Sequence, residues 1–365
     1  MDKHTAINND FINMFGLTYA QTQLLFSTQK LIAEYDIKHD FSIKERSEKK
    51  KWLKLWEKEI VATFGNNFSN NFFISKETIN VNYQDEIKRN HSLTWYYILM
   101  LECITFRPYF AFNDNKIKKL KFDEKYCNEK TKAFFVKQGK VSEDAFVRLK
   151  KTYDDSIKHI SGKTGKILAI SVSSVLVFTG IIATCFAIKS PDIATKLFGD
   201  KFKGLNGIAL KNACLSFVGG GSIFHGGGGL ERGTAIIAGG GALLGIASGG
   251  SVAMGISIPL IVASPEYTLT QSAKLETILK EVILNTQQDI VSAQMIIERL
   301  KCQIAELNQR IVDLEAEDKK NKNELKDINR SLKYLKKANK DMNRFSSSYE
   351  EGYKIQQKQN SKVSD

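Results

Sequence analysis

Apolar residues follow three different rules along this chain. From Met1 to Gly162 they recur at helical spacing between polar breaks. From Lys163 to Pro265 they run on for long stretches without charge, and from Leu279 they fall on a seven-residue repeat. Little of this reads as strand, so the fold class is mostly α: an N-terminal helical domain over 1–162, an apolar membrane-inserting region over 163–265, a long coiled coil over 266–345 and a disordered polar tail over 346–365.

In the first region, Ser42 followed by Glu45 fits a capping box, and Trp52, Leu55, Trp56, Ile60 and Val61 then recur on one helical face. Leu93, Tyr96, Tyr97, Met100, Leu101 and Ile104 predict a core helix that Arg107 and Pro108 end too early for a membrane span. Between them, Ile79, Val81 and Tyr83 alternate, which predicts a short strand in a hairpin over Phe72 to Tyr83. Lys116 to Lys140 is Lys-rich with aromatics at intervals. It reads either as a solvated face over a core or as a surface laid on lipid.

The second region contains Ile167 to Ile188, 22 residues without charge between Lys166 and Lys189, which predicts a transmembrane helix or a fully buried core helix. Gly233 to Pro265 holds 33 uncharged residues, and within it Gly241, Gly245, Gly249 and Ala253 fall four apart. On a helix they form one smooth strip, a glycine zipper along which a second backbone can approach closely. Asn212 to Leu230 is also free of formal charge, so Gly207 to Ser264 reads as a helical hairpin. Its turn holds His225, Gly226, Gly229, Glu231 and Arg232. Many glycines inside helices would weaken a water-soluble core by about 1 kcal/mol each relative to Ala, which favours insertion over a Gly-rich soluble core. Lysines at both ends of the first span leave its orientation open, between three passes and segments that enter a single leaflet.

The third region repeats with Ile283, Ile290, Ile297, Ile304 and Ile311 at one seam position and Leu300, Leu307 and Leu314 at the other, the phase continuing to Met342. Ile with Leu in these places favours two strands. Asp318 and Asn321 interrupt the seam, either as a polar layer in one continuous helix or as the turn of an antiparallel hairpin; the unbroken phase and the absence of Gly or Pro point to the continuous helix.

Charge changes this picture only in naming partners. The net +13 includes 29 basic against 21 acidic residues before the first apolar segment, an excess of +8, mostly Lys scattered among acids. Without a zinc-finger spacing, an aromatic RNA-binding signature or an Arg stripe, an anionic lipid bilayer fits better than nucleic acid. The coiled coil implies a homo-oligomer or a coiled-coil protein partner. Five scattered cysteines and a start lacking a basic-then-apolar leader point to synthesis in a reducing cytosol without a signal peptide.

Candidate chemistry fails on spacing. Gly162-Lys163-Thr164 lacks the earlier Gly of a phosphate loop, where Ile157 stands, and Ser222 lacks the Gly that a nucleophile elbow needs, where Phe224 stands. His225 is either a pore-lining or pH-sensing group or an interfacial residue beside a turn. No catalytic residue, cofactor site or metal site is predicted, and the chain reads as a non-enzyme, although Met1 to Gly162 leaves room for an enzyme without a visible signature.

The run GIALKNACLSFVGGGSIFHGGGGLERGTAIIAGGGALLGIASGG at Gly207 to Gly250 resembles the glycine-rich hydrophobic hairpins of bacterial membrane-associated proteins. More distantly it is similar to the insertion hairpins of pore-forming proteins of the colicin and apolipoprotein L kind. The resemblance implies insertion into a bacterial inner (cytoplasmic) membrane, as for an abortive-infection or toxin-like effector in antiviral defence. A membrane-anchored coiled-coil scaffold or tether is the alternative.

Overall fold

The computed structural model describes residues 19–64, 72–90, 92–109, 120–162, 204–218, 265–317 and 322–363. The described residues are mostly helical and contain no strand. The helices are α1 (Tyr19–His39), α2 (Ile43–Phe64), α3 (Ile79–Arg89), α4 (Thr94–Ile104), α5 (Glu124–Lys137), α6 (Glu143–Ser161) and α7 (Gly207–Val218). They continue with α8 (Pro265–Ile278), which runs into a π-helical stretch Leu279–Leu284, then α9 (Ile290–Glu317) and α10 (Lys322–Val363). The chain divides into two units. One holds α1 to α5, the start of α6 as far as Val147, and α7; the other holds the rest of α6 and α8 to α10.

In the first unit, α1 packs against α2, α3, α4 and α5. Its apolar side chains, among them Leu24, Leu31, Ile32 and Ile37, are buried. Its polar ones are buried too because each reaches a neighbour. Gln21 donates to Glu86 at 2.9 Å, Thr28 shares a hydrogen bond with Tyr83 at 2.9 Å, and Ser27 accepts from the Ile74 backbone at 3.0 Å. A buried polar group is tolerated when it is paired in this way. The Leu93 to Ile104 segment is the expected core helix, and every residue of α4 from Thr94 to Ile104 is buried. Aromatic rings fill the space around it. Tyr96 meets Phe135 edge-on at 5.4 Å and donates its hydroxyl to the Phe135 carbonyl at 2.8 Å.

Two expectations for this unit change. The strand predicted within Phe72 to Tyr83 is instead an irregular stretch with a turn from Ser75 to Thr78, followed by helix α3, which buries Ile79, Tyr83, Glu86 and Ile87 and leaves Val81 57% exposed. Those four lie at helical spacing; the alternation shared only Ile79 and Tyr83 with them, and Val81 falls on the outer face. On α2, Trp52, Trp56 and Ile60 are buried as predicted, but Leu55 and Val61 face outward and Leu53 takes part in the core instead. Of the aromatics of the Lys-rich segment, Phe135 is buried, and Phe122 is half-buried, lying edge-on to Tyr109 at 6.4 Å.

In the second unit the long continuous helix expected from Leu279 to Met342 is broken twice. After the π-helical stretch the chain turns through Asn285–Asp289, with Gln288 at a left-handed φ of 57°. Asp289 then caps α9 by accepting from the Ser292 backbone N–H at 2.9 Å. The second break lies between Glu317 and Lys322. Beyond it α10 runs back along α9: Gln294 reaches Glu350, Ile297 O accepts from Asn339 and Asn308 accepts from Lys336, so α9 numbers rise as α10 numbers fall. The two helices form an antiparallel hairpin. A heptad phase states which face is apolar, not whether the face is filled by a second chain or by the same chain returning. The polar seam residues Asp318 and Asn321 lie outside the described residues.

The polar tail expected to be disordered from Ser346 is helical to Val363. Ser346 is buried, Glu350 contacts both Gln294 and Lys354, and Lys, Glu and Gln are good helix formers, so low hydrophobicity alone misjudged the segment. Helix α8 shows an unusual burial. From Thr268 to Leu279 all twelve residues are 5% exposed or less, including Lys274 at 0% and Glu276 at 1%. Glu276 pairs with Lys280 one turn on, and Lys280 lies over the Phe345 ring at 5.3 Å.

Candidate functional site

A cluster of buried charge surrounds the turn between α1 and α2. Asp36 lies in the last turns of α1, and Lys49 reaches back from α2 to place Nζ 2.7 Å from Asp36 Oδ2 and 2.7 Å from Asp40 Oδ2. Asp36 also accepts the Tyr109 hydroxyl at 2.6 Å and the Asp123 backbone N–H at 2.8 Å. One carboxylate thus ties together α1, α2, the loop after α4 and the start of α5. Tyr109 holds a left-handed φ of 68°, which a non-glycine residue keeps only when its surroundings fix it. Its ring sits edge-on to Trp52 at 5.3 Å and under Lys49 Nζ at 5.0 Å.

Burial would draw the Lys49 ammonium below its usual range, but the hydrogen bonds to Asp36 and Asp40 outweigh it and hold the pKa above. The hydrogen bond from Lys49 is the main reason that Asp40 is held below the usual carboxylate range. Burial first, and then the Asp36 charge, push the Tyr109 phenol and the Cys127 thiol up. The cluster holds these elements together as a clamp.

What the clamp holds is the tip His39–Ile43. Ser42 Oγ accepts from the Glu45 backbone N–H at 3.2 Å, as the capping pattern predicted, while the Ser42 N–H turns to Asp40 Oδ1 at 2.8 Å instead of to Glu45. Beside the tip, His39 stacks on Tyr126 at 3.7 Å and its Nδ1 lies 3.4 Å from Asp123 Oδ2. Sequence reasoning missed Phe41 and Ile43, which stand 92% and 78% exposed. The available signal was a large apolar residue on each side of Ser42, where a helix-to-helix turn ordinarily carries small or polar residues.

The sequence-predicted residues divide sharply. Gly241, Gly245, Gly249 and Ala253, and His225, Gly226, Gly229, Glu231 and Arg232, lie outside the described residues, as do Ile167 to Ile188. Among the described residues no helix is long and apolar enough to cross a membrane, and no group of three or more His, Cys, Asp or Glu is placed to hold a metal. The seam residues Ile297, Leu300, Leu307 and Ile311 are buried on α9, Ile290 and Ile304 are half-buried there, and Leu314 lies in the same helix. Ile283 is also buried, but in the π-helical stretch before the first break, so it does not share their helix.

Helix α7 covers the first part of the predicted hairpin. It carries one charged residue, Lys211, begins at Gly207 with a φ of 58°, and is preceded by Gly204 at a φ of 100°. Ile208 is 77% exposed and Leu205, just ahead of the helix, 41%. No protein-family model, no curated protein and no solved structure matches this chain.

Proposed function

We propose that the protein is a membrane-inserting effector of a bacterial cell, in which the glycine-rich segment after α7 enters the cytoplasmic membrane and copies assemble there to permeabilise it. The observation that carries this reading is the exposed apolar start of α7, with Ile208 77% exposed, in a chain whose next segment contains 33 successive uncharged residues. An apolar helix left open to water is stabilised by lipid. The Ile and Leu seam of α9 is already covered within the chain by α10, so assembly between copies falls to the Gly241, Gly245, Gly249 strip, where small residues let helix backbones approach. No catalytic group or cofactor enters this mechanism. The two helical units carry the inserting segment and restrain it.

The test is induced expression in a bacterial host with growth and membrane potential read together, at matched membrane levels of the wild type and of Gly245→Leu and Gly249→Leu. Bulk on the strip keeps backbones apart but leaves the segment apolar, so both variants should reach the membrane without depolarising it. Depolarisation equal in all three would remove the glycine strip as the assembly surface. Membrane association without depolarisation in the wild type would replace the effector by an anchored scaffold.

A further inference from the structure

We infer that the tip between α1 and α2 is a lipid-contact surface, in which Phe41 and Ile43 enter the headgroup region of an anionic bilayer and the surrounding lysines engage its phosphates. The inference rests on the membrane reading for its partner, but on neither the glycine strip nor a pore.

Isolated exposed hydrophobics are ordinary, and Val81 and Val147, alone on helix faces at 57% and 54%, call for no explanation. The tip differs in several ways at once. Phe41 is 92% exposed and Ile43 78%, more than any other described large hydrophobic, and they stand two residues apart at a turn. The backbone under them is fixed on both sides. Lys49 grips Asp40 just before Phe41, and Ser42 between them caps α2. Neither side chain can fold back into the core, where Trp52 and Trp56 already fill the space at 1% exposure each. Such a rigid apolar tip loses little conformational freedom on insertion.

Charge names the occupant. Lys38 to Lys51 contains six basic and three acidic residues, and Lys38 and Lys44 are exposed beside the tip, with Lys50 exposed farther along α2. The nearby acids have partners: Asp40 pairs with Lys49, Glu48 with Lys51 at 2.8 Å, and Asp123 accepts from the Tyr126 backbone N–H. Tyr126, stacked on His39, has Lys130 Nζ 5.3 Å from its ring. An aromatic and an aliphatic anchor ringed by lysines on flexible stems is the arrangement that suits an interface of apolar chains below and phosphates above. A protein partner would ask for a broader apolar patch with a polar rim.

The experiment uses the full chain with Phe41→Trp. Trp52, Trp56 and Trp95 are buried at 1 to 2%, so the emission difference between variant and wild type reports the introduced indole. Vesicles of phosphatidylcholine, alone or mixed with phosphatidylserine, are added and recovered by flotation in parallel. The expected result is a blue shift and quenching by acyl-brominated lipid with the anionic vesicles, at least about tenfold weaker with neutral ones or in high salt. In wild-type indole content, Phe41→Glu with Ile43→Glu should melt at the wild-type temperature and bind anionic vesicles about tenfold more slowly. A chain that floats with vesicles while the introduced indole is unmoved overturns this inference and leaves the membrane reading standing. A chain that neither floats nor shifts overturns both. An equal shift with neutral vesicles removes the lysine ring from the surface, and a shift produced only by membrane-free cell extract assigns the tip to a protein instead.

Discussion

Lys49 Nζ stands 2.7 Å from Asp36 Oδ2 across the turn between α1 and α2, with both side chains withdrawn from water at 3% and 1% exposure. Their residues are 13 apart, and neither shares a helical face with the other. Breaking the pair is costly, because either charge left alone in that site has lost its compensation.

Lys49→Met should therefore destabilise the chain by about 3 kcal/mol, since it strands Asp36 with only neutral donors. Tyr109→Phe, which removes the hydroxyl 2.6 Å from the same oxygen, should lose about 1.5 kcal/mol. Because both donors serve Asp36 Oδ2, the double variant should depart from the sum of the singles by at least 0.5 kcal/mol, on the order expected for shared partners. Urea denaturation of the four proteins provides the cycle, and strict additivity would show that the donors act independently.

The same cluster sets a pH window. Asp40 is held below its ordinary value, so its contribution is present above about pH 4 and is lost as pH falls through the folded value. Lys49 is held above its ordinary value, so its contribution is complete below about pH 10 and is lost as pH rises through the folded value. Melting temperature against pH should show a plateau between these limits, and Asp40→Asn should flatten the acid limb. An unchanged acid limb in that variant would assign the loss to other carboxylates.

The hairpin of α9 and α10 can be told from a coiled coil between chains by a cross-link. Asn308 Oδ1 and Lys336 Nζ are 3.2 Å apart within one chain. With Cys302 replaced by Ser, Asn308→Cys with Lys336→Cys should react with a short bifunctional thiol reagent to give a monomer of altered mobility on a denaturing gel. A dominant covalent dimer would instead favour pairing between copies.

Gly162 ends α6 at a φ of 68°, with its N–H donating to the Lys158 carbonyl at 3.1 Å. A methyl group there would meet Lys337 Nζ at 3.6 Å, an ordinary contact, so Gly162→Ala is opposed by backbone strain and not by crowding. The substitution should lower stability by about 1 kcal/mol, with Gly162→Asn lowering it less. Equal melting of all three would mean that the turn relaxes to a right-handed conformation.

Much of this architecture was legible because burial leaves periodic traces. The apolar run of α4, the cap at Ser42 and the seam over Ile297 to Ile311 could each be read from spacing. What spacing could not supply was direction. The seven-residue phase survives a reversal of the chain, so α10 returning on α9 and a partner helix leave the same trace. Helix α1 was hidden because its buried positions include Gln21, Ser27, Thr28, Gln29 and Asp36, whose polarity is offset by partners that only the fold brings near. The tip at Phe41 escaped for the opposite reason. Two apolar residues beside a cap look like the ends of core stripes until their exposure is known.

Helix α4 has no side open to water, and this constrains how the protein can diverge. Inserting or deleting one residue between Thr94 and Ile104 would turn everything beyond it by about 100°. On a half-exposed helix such a rotation trades core positions for surface ones. Here every bearing is already occupied, so Trp95, Tyr96 and Leu99 would each be driven into space shaped for a different side chain. Across descendants of this sequence, α4 can change by exchange of like volumes but not by length.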